Sequence, residues 1–590
     1  MATKLKPVDV VIVGMGWTGG ILAKELSDAG LTVLGLERGV NRTTEPDFSV
    51  PMIRDELRYA IRHELYMDVS RDTLTFRNAA RETALPMRRL GSFLPGEGVG
   101  GAGLHWNGQT YRFSPSDHRL RTRVTERYGE TFIPEGMQLA DWPMSYDELE
   151  PYYDKFEYMA GISGQAGNIR GETVEGGNPF EGPRSRGYPN PPLKASLSGV
   201  MYEAAARELG YHPFPRPAAN MSRAYVNPDG MSLGECQYCG HCENFGCEAN
   251  AKASPHITVI PAAQKNANFS LRTQAWVTRV DLHPDGKRAK GVTYTDVRTG
   301  EEFEQPADIV ALCAYGLGNV HLMLLSGIGA PYDPETATGV VGKGYCYQLT
   351  STVQTFFQDK NFNPFMGAGS LGVVVDDFNG DNFDHGPHGF IGGASIINAT
   401  THGRPIAYRP LPPGTPKWGS QWKAAAGHWY GRAASIGTQG SNMASRGNYL
   451  SLDPTYRNAF GQPLLRMTYD FTENDFKQSA FTTRIAHDIG RAMGPTHISP
   501  LAPKSSSYSI VPYQSTHNTG GAITGDDPRT SAVNRYLQSW DVSNLFVVGA
   551  SAFPQNAGYN PTGAVGALAY WTADAIRNRY VAAPGPLVPA

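Results

Sequence analysis

The sequence predicts an α/β fold in which a dinucleotide-binding domain is joined to at least one further domain. Three observations carry this. The chain has 590 residues, too many for one ordinary core; it opens with a strand, glycine turn, helix and second strand; and a further apolar strand-and-helix pattern runs from Ile309 to Ser326. Lys and Arg total 52 against 55 Asp and Glu, a formal charge of -3, with no run of five like charges. Nucleic acid is therefore not an expected partner, and an anionic membrane finds no polybasic patch. The 67 glycines and 43 prolines predict many tight turns, and 29 tyrosines with 24 phenylalanines provide a packed interior.

Val8-Asp9-Val10-Val11-Ile12-Val13 is a β-branched run suited to a buried parallel strand, and it leads into Gly14-Met15-Gly16-Trp17-Thr18-Gly19. Helical spacing of Ile21, Leu22 and Leu26 follows between Gly20 and Ala29, Gly30 stops it, and Leu31 to Leu36 gives a second strand ending at Glu37. In such a βαβ unit the first glycine permits the tight turn and the second lets the backbone approach a pyrophosphate. The third lets helix and strand pack closely, and the helix N-terminus faces the anion. Glu37 stands where an acidic residue accepts hydrogen bonds from adenosine ribose hydroxyls. The motif alone does not separate NAD from FAD. Lys4 and Lys6 ahead of Val8 give a superficial likeness to a secretory signal, but Asp9 interrupts the apolar run and no small-residue cleavage site follows. No stretch of about 18 apolar residues occurs, so no transmembrane segment of its own is expected.

Of six cysteines, Cys236, Cys239, Cys242 and Cys247 form a C-x2-C-x2-C-x4-C run, while Cys313 and Cys346 stand alone and are expected to be buried apolar residues. Short spacings with interleaved glycine let thiolates converge on one centre, so the run reads as a metal site, iron-sulfur or structural zinc, before it reads as a disulfide framework. It departs from the ferredoxin run C-x2-C-x2-C-x3-C-P at the last spacing, and Glu248 stands where proline would. His241, inside the run, is expected to hydrogen-bond or lie exposed rather than to ligate.

Farther along, GSFLPGEGVGGAGLHWNGQTYRF from Gly91 to Phe113 holds a second glycine turn, Gly98 to Gly103, followed by His105-Trp106-Asn107. Phe546-Val547-Val548-Gly549-Ala550-Ser551, Asn560-Pro561-Thr562-Gly563 and an apolar helix to Ile576 form the other end, with Asp147-Glu148-Leu149-Glu150-Pro151-Tyr152-Tyr153 and Val340-Val341-Gly342-Lys343 between. With the N-terminal unit, these segments resemble the glucose-methanol-choline (GMC) oxidoreductases over essentially the whole chain. Within that family the resemblance is to the flavoprotein subunits of membrane-bound dehydrogenases acting on gluconate, fructose and sorbitol.

The resemblance implies a GMC-type Rossmann-like domain over 1–340, with a cysteine-rich segment at about 230–255. It further implies an α+β substrate-binding domain on a mainly antiparallel sheet over 341–510, and a return over 511–590 that carries the catalytic residues. One FAD would be wrapped by both termini. Its contacts would be Gly14, Gly16, Gly19, Glu37, Arg38, Gly98, Gly100, Gly101, His105, Trp106, Asn107, Gly549, Ala550, Pro561 and Thr562. His105 would either carry the flavin covalently or hydrogen-bond beside its ring.

Oxidising an alcohol requires a base for the hydroxyl proton as hydride leaves the carbon, and histidine titrates in the right range. An amide offers both a donor and an acceptor to orient the hydroxyl. By resemblance His517 is the base, Asn560 its partner, and flavin N5 the hydride acceptor. The expected substrate is a sugar acid, sugar or polyol. D-gluconate oxidised to 2-keto-D-gluconate leads, with fructose, sorbitol and 2-ketogluconate as alternatives; an acid substrate predicts an arginine facing the flavin. Resemblance also implies a 3Fe-4S cluster on three of the four clustered cysteines, without saying which, passing electrons to a membrane-bound cytochrome c subunit. A small subunit with an export signal would bring the chain to the periplasmic face of the inner membrane; a cytoplasmic enzyme fits the sequence equally. Three rivals need no relay: an oxygen-using oxidase, a lyase with an idle FAD, and a zinc protein that binds a nucleotide without catalysis. Retention of both His517 and Asn560 argues against the last.

Overall fold

Strand Val8–Val13 pairs in parallel with Val33–Leu36 on one side and with the second half of Glu302–Leu312 on the other. Phe269–Arg272 extends this sheet beyond Val33–Leu36, and Leu545–Val547 extends it beyond Glu302–Leu312. The computed structural model describes residues 2–50, 52–399 and 403–589. Val10 to Val13 are buried, as a parallel strand covered on both faces must be. Helix Trp17–Asp28 starts earlier than the apolar spacing predicts because Gly16 already serves as its N-cap. It closes at Gly30, whose φ of +89° permits a left-handed cap in which Leu31 N–H reaches Leu26 O at 3.2 Å.

Glu302–Leu312 serves two arrangements. Its first half pairs antiparallel with Ala289–Asp296, which in turn pairs with Ala275–Leu282, and from Ala307 onward the same strand joins the parallel sheet. Pro306, which has no N–H to give, sits at the changeover. Helix Tyr315–Leu325 follows directly.

The second sheet has six strands in the order His497–Ile498, Leu349–Phe356, Ala433–Gly440, Ala394–Ala399, Val373–Val375 and Phe214–Pro215, every neighbouring pair antiparallel. Its edge strand Phe214–Pro215 comes from well upstream of the others. Helix Glu473–Ala492 begins at a capping box in which Thr472 Oγ1 accepts from Asp475 N–H and the Asp475 carboxylate accepts from Thr472 N–H. This helix and Leu197–Glu208 cover one face of the sheet, where Val353, Ile396 and Ile436 meet Tyr202, Ala486 and Ile489. The mixed α/β architecture is that of a dinucleotide-binding domain with a largely antiparallel companion sheet. No helix among the described residues is long and apolar enough to cross a membrane.

The C-terminal helix Thr562–Ala575 packs against Trp17–Asp28 and Tyr146–Ala160. A Cβ on Gly566 would lie 2.1 Å from the Phe156 ring, so small residues set how close these helices come. Helix Tyr146–Ala160 also carries Glu157, buried between two guanidiniums: it accepts from Arg112 Nε at 3.0 Å and Nη2 at 2.8 Å, and from Arg184 Nη2. Burial works against ionisation of Glu157, but Arg112 and Arg184 overcome it and hold the carboxyl below its ordinary range. Glu157→Gln leaves two buried cations undercompensated, and we expect it to lower the unfolding free energy by about 3–5 kcal/mol at pH 7. Because the folded-state pKa is depressed, wild type loses this advantage as pH falls below the carboxylate range. Equal urea midpoints for the two proteins at pH 7 would refute the assignment.

Candidate active site

Strands Val8–Val13, Glu302–Leu312 and Leu545–Val547 end level with one another, Val13 opposite Leu312 and Leu312 opposite Val547. The turns that follow them line one cavity of about 400 Å³. Gly14 makes the first turn with φ +94°; a Cβ there would lie 2.5 Å from Cys313 O, and one on Gly19 2.0 Å from Gly14 O. Gly16 has open space where its Cβ would be. No side chain caps helix Trp17–Asp28 and its first turn holds no acidic residue, so its free N–H groups favour an anion such as a pyrophosphate.

Glu37 lines the cavity and is buried. Met15 N–H donates to its Oε2 at 3.0 Å, and Gly39 and Gly98 N–H donate to Oε1 at 2.9 and 3.3 Å. Burial raises its pKa and the Met15 and Gly39 N–H groups oppose the rise. A carboxylate offers about four acceptor sites, so room remains on Oε2 for a ribose hydroxyl. Arg38 stands over the Trp276 ring at 5.0 Å, and Trp276 joins the lining without any signal in the sequence.

The second glycine turn divides in two. Gly101 lines the cavity opposite Gly16, its missing Cβ 3.3 Å from Gly16 Cα. Gly98 and Gly100 stand one layer back: Gly98 N–H holds Glu37, and Gly100 N–H donates to Met15 O at 2.7 Å. Gly19 is likewise a packing residue behind the lining. His105, Trp106, Asn107, Gly549, Ala550, Pro561 and Thr562 all line the cavity. His105 is buried with its ring centroid 4.1 Å from that of Tyr66 and with no partner on Nε2. These free N–H groups, orphaned polar atoms and glycine walls fit FAD.

His517 and Asn560 meet in the wall of the same cavity, where Asn560 Nδ2 donates to His517 Nε2 at 3.2 Å. Asn560 Oδ1 is buried without a partner among the described residues. Burial lowers the His517 pKa to about 4, leaving the imidazole neutral at pH 7. The segment carrying His517 is fixed by reciprocal backbone bonds between Cys346 and Thr519 at 2.9 and 3.0 Å. That antiparallel register sets Gln348 opposite His517, and Gln348 Oε1 bonds His517 Nδ1. Sequence reasoning missed Gln348, since only the register between segments far apart in the chain brings it here. An acid substrate predicts an arginine facing the flavin. Among the described lining residues Arg38 is the one arginine or lysine, and it follows Glu37 in the chain.

The cysteine run abuts the His105 loop. Asn244 N–H donates to His105 O at 2.9 Å. Lys252, fully buried, donates to Trp106 O at 2.7 Å, Cys242 O at 2.9 Å and Phe245 O at 2.8 Å, pinning one loop to the other. Cys247 Sγ accepts from Ala251 N–H at 3.3 Å and Cys242 Sγ from Asn220 Nδ2 at 3.6 Å. Burial raises the thiols of Cys236 and Cys239, against N–H groups of Tyr238 and His241 that favour the thiolates. The described residues contain no group of three or more His, Cys, Asp or Glu side chains set to hold a metal ion. His241 bonds Cys239 O at 2.9 Å through Nδ1. Cys313 and Cys346 are buried, as expected.

Family models described as GMC oxidoreductase match residues 143–350 and 444–569. A gluconate 2-dehydrogenase flavoprotein of Pantoea cypripedii is 50% identical over 596 residues, covering 100% of this chain and 97% of that protein. A fructose dehydrogenase large subunit of Gluconobacter japonicus is 25% identical, covering 98% and 99%. Among solved structures, pyridoxine 4-oxidase from Mesorbium loti matches with a TM-score of 0.58 at 18% identity, covering 97% of this chain and 99% of that one. This last is a likeness of fold.

Glu37→Ala orphans three buried N–H groups, each costing about 1–3 kcal/mol, and removes the carboxylate proposed to accept from a ribose hydroxyl. We expect FAD dissociation to become at least ~10-fold easier, read from FAD retained after gel filtration; full retention at wild-type affinity would contradict this account of the adenosine end.

Proposed function

The chain belongs to the GMC oxidoreductase family, FAD-dependent enzymes acting on CH–OH donors, and we propose that it is a dehydrogenase of a sugar acid, D-gluconate oxidised at C2 to 2-keto-D-gluconate. The observation that carries the chemistry is the His517–Asn560 contact in the wall of the cavity. FAD, when bound, supplies the acceptor for a hydride. A substrate hydroxyl entering between the two side chains donates to His517 Nε2 and accepts from Asn560 Nδ2, while Asn560 Oδ1 is available to a neighbouring hydroxyl. Neutral at pH 7, His517 takes the hydroxyl proton as the carbon is oxidised. Asn560 is buried and His517 half-buried, so a substrate that covers the rest of the imidazole would exclude water from these bonds.

Gluconate is favoured by the 50% identical relative of that name. A second reading, a neutral sugar or polyol such as fructose or sorbitol, is favoured by the lack of any arginine or lysine other than Arg38 among the described lining residues. We further propose that three of Cys236, Cys239, Cys242 and Cys247 hold a 3Fe-4S cluster, supported by their N–H···S bonds and by contact of their segment with the His105 loop. A one-electron relay there would serve a membrane-bound cytochrome c subunit. Relatives named as a flavoprotein and as a large subunit support a multi-subunit enzyme, completed by a small exported subunit at the periplasmic membrane face.

Anaerobic titration of the FAD-loaded chain with D-gluconate, fructose and sorbitol in parallel is expected to bleach the flavin with gluconate first, with a paramagnetic iron signal changing alongside. Bleaching only by the neutral sugars would replace gluconate, and bleaching by none would sink the dehydrogenase reading. Absence of iron from the purified holoenzyme would remove the cluster. His517→Ala should lower the rate of flavin reduction by about 10²–10⁴ with FAD retained. In wild type the rate should hold from neutral pH downward and fall only near pH 4, where His517 protonates; an acid limb near the ordinary histidine value would contradict a buried neutral base.

A further inference from the structure

We infer that Gln348 is the positioning residue that fixes which nitrogen of His517 carries the proton and so which one acts as base. The inference rests on the reading of His517 as the base. Gln348 is fully buried at the start of strand Leu349–Phe356. Its Nε2 lies 3.1 Å from Tyr559 O and 3.4 Å from Ala557 O. Backbone carbonyls only accept, so the amide group facing them must be the NH₂, and the carbonyl Oε1 must face His517 Nδ1. An amide oxygen also only accepts, so Nδ1 must carry the proton. A neutral imidazole has one N–H; Nε2 is left with its lone pair, which is where Asn560 Nδ2 donates at 3.2 Å.

The chain of logic continues into Asn560. With its NH₂ turned to Nε2, its Oδ1 faces away and stays without a partner among the described residues, ready for substrate. Two backbone carbonyls just before Asn560 thus orient Gln348, Gln348 sets the tautomer of His517, and His517 sets the rotation of Asn560. The same amide ties the strand of the second sheet to the segment carrying Asn560.

Gln348 is neutral where a carboxylate partner would favour the imidazolium. Burial is the one cause acting on His517. Of the ionisable groups on the segments packed around it, Cys346, Tyr347 and Tyr559 are themselves raised by burial and stay uncharged at pH 7, while Asp376, which accepts from Tyr559 Oη at 2.7 Å, is raised by burial to about 7. An amide at 348 orients the base without making it a stronger one.

The test uses the FAD-loaded full chain and stopped-flow flavin reduction by whichever of D-gluconate, fructose or sorbitol reduces wild type. Gln348→Leu removes the acceptor and is expected to lower the limiting reduction rate by ~10–100-fold, with the half-saturating substrate concentration and FAD content near wild type. Gln348→Glu restores an acceptor and should recover most of that rate while moving the acid limb upward by about one pH unit or more, since a carboxylate favours protonated histidine. A Leu variant with wild-type rate and pH profile overturns the inference. If the Leu variant does not fold, the Glu variant decides alone: an unmoved acid limb overturns it, a raised one supports it. His517→Ala run beside them separates the two ideas. Loss of rate in that variant with none in Gln348→Leu refutes only the positioning role, whereas full rate without His517 refutes the base assignment itself.

Discussion

Everything at the site depends on three parallel strands that end at one level. Val13, Leu312 and Val547 are register partners across Val8–Val13, Glu302–Leu312 and Leu545–Val547, although they lie at the beginning, middle and end of the chain. Because parallel strands point the same way, the turns after them open on the same edge, where ligands of open α/β sheets sit. Gly14, Ala314 and Gly549 therefore line one cavity. Shifting any of these strands by one residue would carry the turn after it out of level with the other two and remove a wall of the site.

At His517 and Asn560 the chemistry is set by exclusion of water and by hydrogen-bond direction rather than by charge. His517 is kept neutral by burial, and its neighbours are amides and backbone carbonyls. Charge is concentrated elsewhere: Glu157 with Arg112 and Arg184 under the C-terminal helix, and Glu37 with Arg38 at the turn after the second strand of the βαβ unit. A base that stays unprotonated in mildly acid surroundings follows from this separation.

The cysteine segment is coupled to the site through Lys252. A buried ammonium saturates its donors on three carbonyls, from Trp106, Cys242 and Phe245, so the cysteine loop and the loop carrying His105 and Asn107 hold one geometry together. Any redox group held by these thiols would share the rigidity of the flavin loop, a favourable basis for electron transfer between fixed centres.

The sequence by itself determined the βαβ unit, the turn at Gly14, the later strand and helix and the C-terminal helix, and through family resemblance it singled out Glu37, His517 and Asn560 as candidates. These were legible because glycine turns, β-branched runs and helical spacing express local stereochemistry, which neighbouring residues decide. Tertiary structure decided what depends on contacts between distant segments. It moved Gly98 and Gly100 behind the lining, where their N–H groups hold Glu37 and Met15 in place, and it brought Trp276 into the cavity lining. Among the described residues it put no arginine but Arg38 in the cavity lining, where an acid substrate predicted one facing the flavin. It also set Gln348 opposite His517, because the pairing of Cys346 with Thr519 fixes a register that no local pattern encodes. A hydrogen bond's direction depends on both partners, and only the folded chain brings those partners together.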